Sequence, residues 1–184
     1  MGLTSLAKLP WSAEQGWPEL SRSRPSLVRL FARLVLPLLP PAMIYYAGTR
    51  YPEVFLAGAA AKDWGRVAVV FFLAEMQTVL AMGWLIRQVA LTNGLTLDRH
   101  DAFLLAAIAP VPLWLASLGL LVPSLGFNAL LSLAALVVSC GLIYHGIEGL
   151  CRTREDVTAA AIVQTVIGAG LAAWALLLVL VVML

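Results

Sequence analysis

A chain of 184 residues that is 61% hydrophobic and only 12% charged carries far more apolar side chains than a soluble domain of its size can enclose. The surplus must face lipid, which excludes a soluble enzyme or a soluble binding module. The formal net charge of +2 is too small to suggest nucleic acid, and no nucleic-acid partner is expected.

Residues 1–26 read as a polar tail in which Trp11, Trp17 and Pro18 stand among Lys8, Glu14, Glu19, Arg22 and Arg24. No apolar period lasts long enough there for a stable helix. The indoles of Trp11 and Trp17 suit anchors at headgroup level, with a docking surface for a protein partner as the alternative. No short apolar core with a cleavage site follows Met1, so the first span is expected to serve as the insertion signal.

Residues 27–184 are expected to form an all-α bundle of five transmembrane helices, at about 27–48, 67–86, 102–122, 127–150 and 157–184. Ser26 is positioned to cap the first helix. Arg29 and Arg33 fall one turn apart on it, suited to snorkel to headgroups or to meet a partner. Pro37, Pro40 and Pro41 should kink this span, and Tyr45, Tyr46 and Tyr51 mark the opposite interface. In the connection that follows, Val54–Ala61 is too short to cross and reads as an interfacial or re-entrant piece.

The second span runs between Trp64 and Arg87 and contains Glu75 and Gln77. Glu75 precedes Arg87 by twelve positions, about 18 Å along a straight helix. At that depth the other helices offer Ser117, Ser139, Cys140 and Gly168–Gly170, none of them cationic. A carboxyl group placed so is expected to face the bundle, keep its proton and donate to a hydroxyl or carbonyl. A proton or cation relay is the functional alternative.

A polar loop with Asn93-Gly94 as its turn follows, and Asp98 and Asp101 compete to cap the third helix. The third and fourth spans form a hairpin with no charge between Phe103 and Tyr144. Pro110 and Pro112 lie in the middle of the third, and Pro123–Ser124 ends it. On the fourth, His145 and Glu148 share a face. Glu148 is in snorkelling reach of Arg87 or Arg152, and Gln164 lies at the depth of His145. Cys140 and Cys151 sit on one helix about 16 Å apart and cannot bridge.

Two histidines are too few for a haem, zinc or di-iron site, so no metal and no cofactor is expected. No zinc-ligand, nucleophile-elbow or phosphate-loop motif is present, so catalysis has no named players. On the last span Ala161, Thr165, Ala169 and Ala173 recur every four residues beside Gly168 and Ala172, a ridge suited to close helix packing.

With the N-terminus cytoplasmic, Lys8, Arg22, Arg24, Arg29, Arg33, Arg87, Arg99, Arg152 and Arg154 share that side, against Arg50, Lys62 and Arg66 opposite. This positive-inside bias sets the orientation, and five spans place the C-terminus across the membrane.

The run Asp101-Ala102 through Ala109-Pro110-Val111-Pro112-Leu113-Trp114-Leu115 to Val122-Pro123 resembles the Yip family (Ypt-interacting-protein domain), in its bacterial branch. So do Tyr144 with Gly146 and Gly149, the Thr153-Arg154-Glu155 loop, and Val35-Leu36-Pro37-Leu38. The resemblance implies five helices, a cytoplasmic N-terminus and residence in a bacterial inner membrane. Eukaryotic members are linked to vesicle traffic and prenylated small GTPases. Their Asp-Leu-Tyr-Gly-Pro signature is absent here, so GTPase binding is not carried over.

The expected function is a non-catalytic membrane scaffold or accessory subunit that binds a protein partner or a second copy of itself. The alternatives are a small transporter or channel built on Glu75 and Gln77, and a lipid-modifying enzyme suggested by the shared depth of Glu75 and Ser139.

Overall fold

In lipid a backbone must satisfy its own hydrogen bonds, and for apolar runs of this length that means helices. The computed structural model describes residues 17–23, 36–55, 59–151 and 156–184, and every regular element among them is helical. In chain order these are α1 (Trp17–Ser23), α2 (Leu39–Arg50), α3 (Pro52–Phe55), α4 (Trp64–Thr92), α5 (Arg99–Ile108), α6 (Val111–Ala116), α7 (Leu125–Cys151) and α8 (Asp156–Met183). Three 3-10 turns join them, at Leu36–Leu38, Ala59–Ala61 and Ser117–Leu121.

Four segments are long and apolar enough to cross a membrane: Trp64–Thr92, Arg99–Leu121, Leu125–Cys151 and Ile162–Met183. The expected first span is represented by α2, whose 12 residues cover only about 18 Å of a hydrocarbon layer near 30 Å thick. Its first part, with Ser26, Arg29 and Arg33, lies outside the described residues, as do Trp11 and the Arg152–Glu155 loop.

Local chemistry explains the boundaries. Asp63 caps α4 by accepting the Arg66 N–H at 3.1 Å. The helix continues to Thr92, six residues beyond the expected end, and stops where Gly94 takes a positive φ of 76°. Asp98 holds the extended position before α5, without a side-chain capping bond, while Asp101 sits in the first turn. The third span is three pieces: α5 ends at Ile108, the chain turns through Ala109-Pro110, and α6 tightens into the 3-10 turn. Prolines 110 and 112 lack the donors that a continuous helix needs. Asn128 ties the hairpin to α7 by donating to the Val122 and Ser124 carbonyls at 2.9 and 2.8 Å.

The two ends of the bundle differ. At the end where α4 finishes and α5 begins, Ile86, Leu104, Leu105, Ile147, Ile162 and Val166 form a close-packed core. Glycines permit the approach. A Cβ on Gly83 would lie 2.7 Å from the Phe103 ring, and one on Gly146 would lie 2.5 Å from Leu105 Cδ1.

Trp17 belongs to this core. It is fully enclosed, its ring 3.1 Å from the place a Gly146 Cβ would take. That corrects the surface-anchor reading of Trp17, and with it the expectation of no helix in the tail. The seven residues of α1 are too few to show a period, but burying the indole and donating from Ser21 Oγ to Asp101 Oδ2 at 2.9 Å hold them as a helix.

The opposite end is tied by polar contacts. Tyr51 Oη donates to the Leu120 carbonyl, and Lys62 Nζ donates to the Val182 carbonyl at 2.6 Å. Trp64 packs its ring on Gly48 and donates Nε1–H to the Ala59 carbonyl at 3.2 Å. The described parts of the Val54–Ala61 stretch, the end of α3 and the turn at Ala59–Ala61, are helical at this edge.

Candidate functional site: a cavity around Glu75

Between the packed end and the tied end lies a cavity of about 450 Å³. Residues of α2, α4, α6, α7 and α8 all contribute to its wall. Both α2 and α8 pack on α4, so that helix carries the site, and its Glu75 is turned inward with 5% of its surface exposed. The phase of α4 dictates this. Phe71, Glu75, Val79, Gly83 and Ile86 are buried at intervals of three and four.

The expected neighbours of Glu75 are present in part, with Gly168 exposed on the outer face instead. Ser117, Ser139, Cys140 and Gly170 line the same cavity, and among the described residues no lysine, arginine or histidine does. The hydrogen-bonding arrangement differs from the expectation of a hydroxyl or carbonyl partner. Trp114 of α6 supplies the side-chain hydrogen bond to the Glu75 carboxyl. An indole N–H only donates, so the oxygen it meets accepts. The other oxygen, Oε2, is buried without a partner among the described residues, and so is Ser139 Oγ, in a residue that is also 5% exposed.

Trp114 is the residue that sequence reasoning missed. The signal was available: an indole amid apolar helix at mid-membrane needs an acceptor, and Glu75 is the strongest acceptor near that depth. A close-packed α5 followed by a turn at Pro110 sets the level of Trp114, whose own N–H of the backbone bonds the Pro110 carbonyl at 3.0 Å.

The other candidates are not gathered here. Gln77 lies two residues from Glu75, about 200° around the helix, and is exposed on the outer face. Gln164 is also exposed, and it is not the partner of His145. His145 Nδ1 instead lies 3.4 Å from Glu148 Oε2, one turn along α7, with the Tyr144 ring edge-on at 5.2 Å. Glu148 therefore pairs within its own helix rather than with Arg87, whose Nε is buried without a hydrogen-bond partner among the described residues, while Arg152 lies outside them. Among the described residues no three His, Cys, Asp or Glu side chains come together.

Apolar crossing helices around an internal, mostly apolar cavity define a polytopic helical membrane protein. The Yip1 domain family model matches residues 10–177, nearly the whole chain, and the chain belongs to that family. No curated protein and no solved structure matches it.

Proposed function

We propose that this Yip1-domain protein is a non-catalytic accessory protein of a bacterial cytoplasmic membrane. It crosses five times, with the N-terminus cytoplasmic and the C-terminus on the far side, and holds a protein partner within the bilayer. The observation that carries the reading is the outer face of α8. Thr165, Gly168 and Ala172 are exposed there, and a Cβ added at Gly168 would meet nothing within 4 Å. Ala169 and Ala173 turn partly inward, so the ridge divides between bundle packing and an outer surface that admits a close second helix. Family membership supports the accessory role. The orientation rests on nine Lys and Arg side chains against three.

Two experiments test it. Purification from the native membrane in mild detergent should retain a partner or a second copy, and Gly168→Leu with Ala172→Leu should release it while the bundle stays monodisperse. Retention by that double variant would move the contact elsewhere. Membrane-impermeant labelling of single cysteines placed at each terminus should reach them from opposite sides, and labelling of both from one side would remove the five-span reading.

A further inference from the structure

The cavity around Glu75 carries a second reading, independent of any protein partner. Its wall follows α4 from Trp64 to Ile86, 22 positions or about 33 Å. Glu75 lies eleven residues from each limit, at the middle. Around it the wall is almost entirely apolar, with Phe71, Leu177 and Val181 toward the Trp64 end. A long apolar slot of this kind does not hold water along its length, since water needs two to four polar partners. It suits a chain.

Of the polar side chains in the wall, Thr78, Ser117 and Asn128 are held by backbone carbonyls; the buried groups left over lie at the centre. Glu75 Oε2 and Ser139 Oγ are both buried, and among the described residues both lack a hydrogen-bond partner, in residues that line this cavity. Native proteins pair such groups, so two unpaired ones in residues of one cavity wall mark the place where a ligand's polar group belongs. No cation among the described residues lines the cavity. A phosphate or carboxylate head would therefore meet the Glu75 carboxyl with nothing to balance it. A hydroxyl both donates and accepts. It satisfies Ser139 Oγ and Glu75 Oε2 together, whichever of them supplies the proton.

We infer that the cavity is a binding site for a neutral membrane lipid bearing a free hydroxyl, with the hydroxyl between Glu75 Oε2 and Ser139 Oγ and the chain along α4 and α8.

The test uses full-length protein in phosphatidylcholine vesicles and hexadecanol carrying a diazirine. After illumination, the label should map to the cavity walls of α4, α7 and α8. Unlabelled hexadecanol should compete it away, whereas hexadecane and hexadecanoate should not. Removing one hydrogen-bonding group, by Glu75→Leu or Ser139→Ala, should lower specific labelling about tenfold. Glu75→Gln, which keeps an oxygen and gains N–H donors, should retain most of it. Gly170→Leu supplies a control on another helix. A Cβ at Gly170 meets only Met82 Cε, at 3.9 Å, so a side chain grown there fills the cavity without disturbing Glu75, and labelling should vanish while the protein remains monodisperse. Competition by hexadecane as strong as by hexadecanol would overturn the proposal, and that result needs no variant. Labelling that is unchanged in Glu75→Leu, Ser139→Ala and Gly170→Leu would overturn it as well.

Discussion

The ammonium of Lys62 lies 2.6 Å from the carbonyl oxygen of Val182, 120 positions away, and 3.4 Å from that of Val181. The last carbonyls of a helix have no partner within it and carry the negative end of its dipole. Lys62 thus closes α8 with a charge of the right sign and pins its end to the connection before α4. Lys62→Met should cost about 0.3–2 kcal/mol, read as a lower unfolding temperature in detergent. A cysteine placed at Val182 should also react faster with a water-soluble thiol reagent in that background. Equal reactivity with and without the ammonium would show that α8 needs no such cap.

Trp17 gives the second prediction. Truncating an enclosed indole in a core costs about 3–5 kcal/mol, so Trp17→Ala should strongly destabilise the bundle and expose α1 to protease. Asp101→Ala removes only the acceptor of Ser21 Oγ and should cost about 0.5–1.5 kcal/mol. Deletion of residues 1–15 spares both contacts and should leave stability nearly unchanged, whereas deletion of residues 1–25 should not. Limited proteolysis with thermal unfolding separates these cases.

Gly48 makes a sharper test of packing. A Cβ built there lies 2.0 Å from Trp64 Cδ2 and 2.3 Å from Cε3, atoms of a rigid ring that also hydrogen-bonds the Ala59 carbonyl. Gly48→Ala should therefore displace the indole, shift its fluorescence and cost about 1–3 kcal/mol. Gly168→Ala, where a Cβ meets nothing within 4 Å, should be neutral in the isolated protein.

What could be read from the residues alone divides along a physical line. Depth is legible, because rise per residue is fixed: counting from Arg87 places Glu75 level with Ser117, Ser139, Cys140 and Gly168–Gly170, and all but Gly168 and Ala169 line one cavity. A turn is legible where a glycine marks it, as at Gly94, but the polar Arg87 and Gln88 hide that α4 runs on to that glycine. Facing is legible from the helical period: Gln77 lies about 200° from Glu75 and so points outward when Glu75 points inward. Partner choice across helices was not legible. His145 and Gln164 share a depth, yet rotation of α8 about its axis turns Gln164 outward. The burial of Trp17 depends on a gap above Gly146 that only the assembled α5 and α7 create.

The pairing of Trp114 with Glu75 supplies the last prediction. Each residue is buried, and each offers the other what the surrounding apolar wall withholds. Trp114→Phe removes the donor and leaves both carboxyl oxygens without a partner, while Glu75→Leu leaves the indole N–H without an acceptor. Either change alone should cost about 1–3 kcal/mol, the penalty of a buried polar group left unpaired. The double variant removes both groups at once, so its cost should fall short of the sum by about 0.5–3 kcal/mol. Thermal or denaturant unfolding of the four proteins in one detergent measures that difference. Strict additivity would mean that the indole and the carboxyl are neighbours without being partners, and that the orientation of Glu75 is set by the packing of α4 alone.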